Sequence, residues 1–132
     1  MLPYTEMRIY RGIIFAAPHG TYTVQGLKKM TIRTWHSTKV LNKPLLLVEK
    51  KKALGYIKLA SVIEIHGIRE FDKLYNLHRI TPVERKLWWS GYKVYYGYKI
   101  VPIRFFKTPR QIQYPTGPQV FIKPENIRFV KK

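Results

Sequence analysis

Four closely spaced residues carry functional groups that could do chemistry: Lys28, Lys29, Thr31 and Arg33, in the run Gly26-Leu27-Lys28-Lys29-Met30-Thr31-Ile32-Arg33-Thr34-Trp35. A lysine ammonium is a compact point charge suited to a phosphate or a polarised carbonyl oxygen, whereas an arginine fork holds a phosphate through two parallel N–H donors. Thr31 adds a hydroxyl that both donates and accepts. Alternation over the strand puts Met30, Ile32 and Thr34 on one face and Thr31, Arg33 and Trp35 on the other, so hydroxyl, guanidinium and a stacking ring share the polar face. Gly26 lets the backbone turn after a short helix, and Lys28 and Lys29 project from that turn. The expected result is one cationic patch, open to water, at the turn into this strand.

Composition says what such a patch would meet. The 132 residues contain 25 lysines and arginines against 7 acids, a formal net charge of +18. Apolar content is ordinary for a folded domain and the cations are interleaved with apolar residues, so most of them must lie on folded surface, where they attract phosphate backbones. A Lys/Glu-rich heat-stable surface would carry balancing acids, which are missing here. The lack of cysteine excludes disulfides, zinc ribbons and thiol catalysis. His19, His36, His66 and His78 show no metal-ligand spacing, and no cofactor is expected. No secretory segment and no apolar run of membrane-spanning length is present, so the expected location is the cytoplasm, without membrane attachment. The scarcity of Asn and Gln alongside abundant Lys, Tyr and Ile is compatible with a thermophile.

The elements that must position these groups follow from local patterns. Residues 8–15 read as a first strand stopped by Pro18, and His19 to Gly26 as a short helix. Leu45–Glu49 and Leu54–Ile65 read as an antiparallel hairpin joined through Lys50-Lys51-Lys52. Arg69 to Tyr75 fits one or two helical turns. Thr81-Pro82-Val83-Glu84 is a helix start, with Thr81 as N-cap, Pro82 at the first position and Glu84 completing a capping box. Lys93–Phe106 is strand-rich, with Pro102 implying an edge or a bend. Lys107–Pro118 reads as an ordered loop, and Gln119–Ile122 as a last short strand.

Gly26-x-Lys28-x-x-Thr31-x-Arg33, set between a short helix and a strand, resembles the signature of the ASCH domains, small β-barrels related to the PUA RNA-binding domains. Leu54-Gly55-Tyr56-Ile57-Lys58-Leu59-Ala60-Ser61-Val62 is similar to that family's central strand, and Tyr95 to Ile103 resembles its aromatic return strand. The match in element order covers roughly residues 8 to 106. It implies an α+β fold: a small mixed PUA-like β-barrel with short helical insertions, one domain over residues 1–132 with an extension of its own from about residue 107.

The resemblance also implies a function. The first expectation is an RNA-binding module, RNA ahead of DNA, at home in a ribonucleoprotein or on a ribosome. Its surface would comprise Lys28, Lys29, Thr31, Arg33, Trp35, His36 and Lys39, with Tyr92, Lys93 and Tyr95 stacking bases beside cations. Arg104, Lys107 and Arg110 would extend a phosphate track. Tyr96 and Tyr98 are expected in the core, together with one of Trp88 and Trp89. The alternative is hydrolysis, because some ASCH proteins are N4-acetylcytidine amidohydrolases and others have been described as ribonucleases. Carried over to this chain, Thr31 would be the nucleophile and Lys28 its activator. The glutamate that completes that set is not matched: the segment is Tyr75-Asn76-Leu77-His78-Arg79-Ile80, alignment puts His78 or a neighbour there, and Glu70 and Glu84 only flank it.

Overall fold

A computed structural model describes residues 8–117 and 119–130. Among these residues seven strands, four short helices and one 3-10 turn follow each other as β1 (Arg11–Ile14), α1 (His19–Val24), β2 (Met30–Arg33), β3 (Leu45–Glu49), β4 (Lys52–His66), α2 (Gly67–Lys73), α3 (Tyr75–His78), α4 (Pro82–Trp89), β5 (Val94–Gln113), β6 (Phe121–Ile122), the turn Pro124–Asn126, and β7 (Arg128–Phe129). One mixed sheet has the order β2-β5-β4-β3-β1-β6, with β7 added to β5. The expected barrel is not closed: among the described residues no ladder joins β6 back to β2. Helices α2 to α4 fill the connection from β4 to β5 as one insertion.

The β3–β4 hairpin forms as expected, paired from Leu45↔Ile57 to Glu49↔Lys52. Lys50 and Lys51 both take left-handed φ, 51° and 60°, the turn geometry whose twist matches an antiparallel ribbon. β1 lies parallel to β3, so α1 and β2 belong to the crossover between them. α1 is fastened to β3 by the buried Glu49 carboxylate, which accepts from the Thr21 backbone N–H at 3.0 Å and the Thr21 hydroxyl at 2.7 Å.

β5 runs further than expected, through Gln113 instead of ending near Phe106. Lys52↔Gln111 and Ala53↔Arg110 resume pairing after a bulge that begins beyond Gly55↔Phe105. Pro109 falls inside that bulge, where its missing N–H removes no ladder bond. Pro102 is tolerated for a related reason: β2 leaves β5 after Lys99, so the opposite side of β5 is an edge there.

Two of the three apolar clusters frame the site. One gathers Ile13, Phe15, Leu45, Leu47, Ile57, Leu59 and Tyr98 beneath the sheet, and Trp35 packs on its rim. A second joins Met30, Ile32, Ile65, Phe71, Ile80 and Tyr95, with Trp88 and Trp89 closing over it. Tyr98 is therefore core, as expected, whereas Tyr96 is only half-buried. Among the described residues no helix is long and apolar enough to cross a membrane.

Candidate functional site

Lys28 enters β2 just after the α1 turn, where Gly26 takes φ 80° as a left-handed helix end. From there Lys28, Thr31 and Arg33 converge on one cavity of about 230 Å³, together with His19 at the start of α1. The other walls are apolar: Phe15, Ala16, Ile32, Ile80, Trp88 and Trp89. The three motif residues thus gather as their spacing suggests, but inside a pocket and not on an open surface. Lys28 and Thr31 are 4 % and 3 % exposed and Arg33 is half-buried, which overturns the expectation of one patch open to water; of these four residues Lys29 stays exposed. The physical reason is the covering by α4: a short polar strand face that looks solvated in isolation is roofed by Trp88 and Trp89 from the insertion.

Burial changes the chemistry of each cation. Desolvation, then the charge of Arg33, lower the Lys28 ammonium to about 7, only partly opposed by the attraction of Glu84. Lys28 Nζ donates to the His78 carbonyl. Desolvation also lowers Arg33, to about 10, which leaves it a cation throughout the physiological range. One Arg33 Nη donates to the Ile14 carbonyl at 3.3 Å and the guanidinium faces the Phe15 ring at 5.5 Å, while Nε is buried without a partner among the described residues. His19 Nδ1 is likewise buried and unpartnered among them, so two lining side chains each have an unmet hydrogen-bonding atom.

A carboxylate missed by sequence matching stands behind this wall. Glu84 caps α4, its Oε1 accepting from the Thr81 backbone N–H at 2.9 Å while its own N–H donates to the Thr81 hydroxyl at 3.1 Å. Its Oε2 lies 2.9 Å from His19 Nε2. Burial pushes the Glu84 carboxyl up, but the Thr81 backbone bond and the His19 contact outweigh it, and the net shift is downward. His19 itself is lowered, by burial first and by Lys28 second. α4 is further locked by the buried Arg85, whose Nε and Nη2 reach the Asp72 carboxylate at 3.1 and 3.2 Å. The capping box was visible in the sequence; nothing in it announced that the same glutamate would face His19.

His78 does not complete the set. Both of its ring nitrogens are used structurally, Nε2 against the Phe71 carbonyl at 2.8 Å and Nδ1 accepting from the Ile80 N–H at 2.9 Å. Desolvation lowers it to about 4, so it is neutral at ordinary pH. Its contribution to the pocket is the carbonyl that receives Lys28.

The other expected residues scatter. Tyr95 is 1 % exposed within the second cluster, its hydroxyl donating to the Tyr92 carbonyl at 3.0 Å, so it offers no stacking face. Trp35 is half-buried against Tyr98 and Phe121, with ring centroids 5.3 and 5.5 Å away, and is a core lid instead of a platform. Both corrections have one cause: strand alternation assigns a face but not which face the protein covers. Lys29, His36, Lys39, Tyr92 and Lys93 are exposed outside the cavity, with His36 5.4 Å from the Tyr96 ring. Arg104, Lys107 and Arg110 lie further along β5, away from the cavity lining. Sequence reasoning missed His19, Phe15 and the joint roof of Trp88 and Trp89.

No protein-family model matches the chain, and no curated protein matches its sequence. Solved structures do match it in shape. The crystal structure of ASCH from Zymomonas mobilis superposes with a TM-score of 0.60 at 11 % identity, covering 92 % of this chain and 87 % of that one. A serine-to-alanine mutant of the same bacterial protein gives 0.58 at 12 % identity over 92 % and 88 %. A tyrosine-to-phenylalanine mutant gives 0.57 at 14 % identity over 75 % and 76 %. The chain has an ASCH-like fold.

Proposed function

From an ASCH-like fold and a pocket of this size, we propose that the protein binds RNA and seats one base in the Lys28–Thr31–Arg33 cavity. The observation that carries this reading is the match of scale and lining. About 230 Å³ lies below the roughly 300 to 1,000 Å³ typical of pockets for drug-sized ligands, so its scale is one ring system and not a stretch of polymer. Indole and phenyl walls suit a flat ring, and the Lys28, Thr31 and Arg33 side chains that line the same cavity suit its polar edge. The net charge of +18 supports an anionic polymer as the carrier of that base. Titration with nucleosides, followed by tryptophan fluorescence, tests the reading. Saturable quenching is expected, with Arg33→Gln weakening binding by about 2 kcal/mol, roughly thirtyfold. Absence of any saturable change with all four nucleosides and with short RNA at low salt overturns it.

A second reading, hydrolysis of an acylated base such as N4-acetylcytidine, is favoured by one observation: Lys28 sits near 7 in the same cavity as Thr31. In that reaction the Thr31 hydroxyl oxygen attacks the amide carbonyl carbon and its proton passes to neutral Lys28. Arg33 steadies the oxyanion, and Lys28 returns the proton to the departing exocyclic nitrogen. Water then cleaves the Thr31 ester, releasing acetate. Chromatography of N4-acetylcytidine incubated with the protein should show cytidine, with a rate that rises as pH passes about 7 and is lost in Thr31→Val. If no cytidine forms at high protein concentration, this second reading is discarded and base binding stands alone.

A further inference from the structure

The pocket leaves most of the positive charge unused, and the fold sorts that charge to a different place. Beyond Tyr98 the chain holds one acid, Glu125, against eight lysines and arginines. Strand pairing brings three of them, Arg104, Arg110 and Arg128, into the ladders that include the β3–β4 turn. Tyr56 pairs with Arg104, Ala53 with Arg110 and Lys52 with Gln111, while Gln113 pairs with Arg128 of β7. The Ile112 N–H donates to the Lys51 carbonyl at 3.0 Å, fixing Lys50 and Lys51 at the same end of the sheet. Thr31 pairs with Tyr98. At roughly 3.3 Å per strand residue, Arg104 is on the order of 20 Å further along β5, and Arg110 further still. Among the described residues the ion pairs His19–Glu84, His66–Glu64 and Arg85–Asp72 lie around the helices and the end of β4, and Glu49, the acid beside Lys50, is turned inward onto Thr21 of α1 and buried.

We propose that this end of the sheet is a phosphate-backbone docking face for a nucleic-acid strand, separate from the pocket. It deepens the RNA reading and rests on it. Lys50, Lys51, Lys52, Arg104 and Lys107 are exposed. Several cationic ends are held over rings of the third apolar cluster: Arg104 faces Tyr56 at 5.4 Å, Arg110 faces Phe129 at 5.5 Å and Lys51 faces Tyr114 at 6.0 Å. Such backing limits the freedom these side chains would lose on meeting a phosphate. Tyr56, under Arg104, is 1 % exposed, so this face offers charge without a stacking platform there. It therefore reads the backbone and not the sequence, leaving base choice to the pocket.

Fluorescence anisotropy with a labelled single-stranded RNA of about 20 nucleotides, and the same sequence as DNA, tests the proposal. The Lys52→Gln/Arg104→Gln/Lys107→Gln variant should bind at least tenfold more weakly at about 0.1 M salt. Its log–log salt slope should be smaller by about 2, following roughly 0.7 per lost phosphate contact on a single strand. Thermal unfolding verifies that the triple variant is folded, and Lys51→Gln/Lys107→Gln, with a slope change of about 1.4, serves if it is not. Val83→Gln, an exposed neutral position on α4 outside the cavity lining and the proposed face, should leave affinity and salt slope as they are. Unchanged affinity and slope in the folded surface variants overturn the docking face. Poly-L-glutamate competing as well as RNA at equal charge overturns it too. Nucleoside binding without any oligonucleotide binding removes the face and leaves the pocket, whereas loss of both removes the RNA reading itself.

Discussion

Lys28 shows how burial turns an ordinary surface residue type into a site residue. An ammonium that would stay charged to pH 10.5 in water is brought to about 7 by desolvation and by Arg33. The folded state then binds fewer protons than the unfolded chain between those values, so this group makes stability rise with pH across that window, by at most about 1.4 kcal/mol per pH unit. His78, lowered from 6.5 to about 4, has the same sign further down: its contribution is full above 6.5 and is lost as pH falls toward 4. Denaturant unfolding between about pH 7 and 9, below the range in which buried tyrosines titrate, should show stability increasing, and Lys28→Met should flatten that rise. A flat wild-type profile rules out a buried, depressed Lys28. At this scale the convergence of Lys28, Thr31 and Arg33 was legible in their spacing. Their enclosure was not, because the roof comes from α4, far along the chain, and the same blindness placed Tyr95 and Trp35 outside.

At the scale of elements, α4 decides whether the pocket exists. Its capping box fixes the helix start, its Arg85–Asp72 pair ties it to α2, and its Trp88 and Trp89 complete the roof. Thr81→Ala should lower stability by about 1 kcal/mol and also loosen Glu84, weakening nucleoside binding beyond what stability explains. A variant with lowered melting temperature and unaltered ligand affinity separates the cap from the site. β4 has its own constraint at Gly55, where φ is 147° and a Cβ would come 2.6 Å from the Phe105 Cα. Because that neighbour is backbone, Gly55→Ala should cost roughly 2 to 4 kcal/mol, read by chemical denaturation, and an effect below about 0.5 kcal/mol disproves the tight crossing. The hairpin, the capping box and the strand of the motif were all readable from local chemistry. The extension of β5 to Gln113 was not, since Pro109 argues against a strand and only pairing with Lys52 and Ala53 across a bulge reveals it.

Over the whole molecule, the net charge of +18 and the motif separate into two jobs. Composition indicated an anionic partner, and the motif indicated a site, but one dimension could not show that the acids of the insertion gather around the helices while Arg104, Lys107 and Arg110 follow along β5 beyond the pocket. The sheet topology accomplishes this by making β5 long enough to serve both ends, pairing with β2 beside the pocket and with β4 and β7 beyond it. The central claim, that the motif builds a seat for a single base, is tested most directly by photo-crosslinking a 4-thiouridine-containing single-stranded RNA and mapping the adducts by mass spectrometry. Adducts on Phe15, Trp88 or Trp89, competed away by free nucleoside and lost in Arg33→Gln, are the expected result. Adducts confined to exposed rings such as Tyr92 and His36, with none from the cavity walls, show that the pocket does not receive the base.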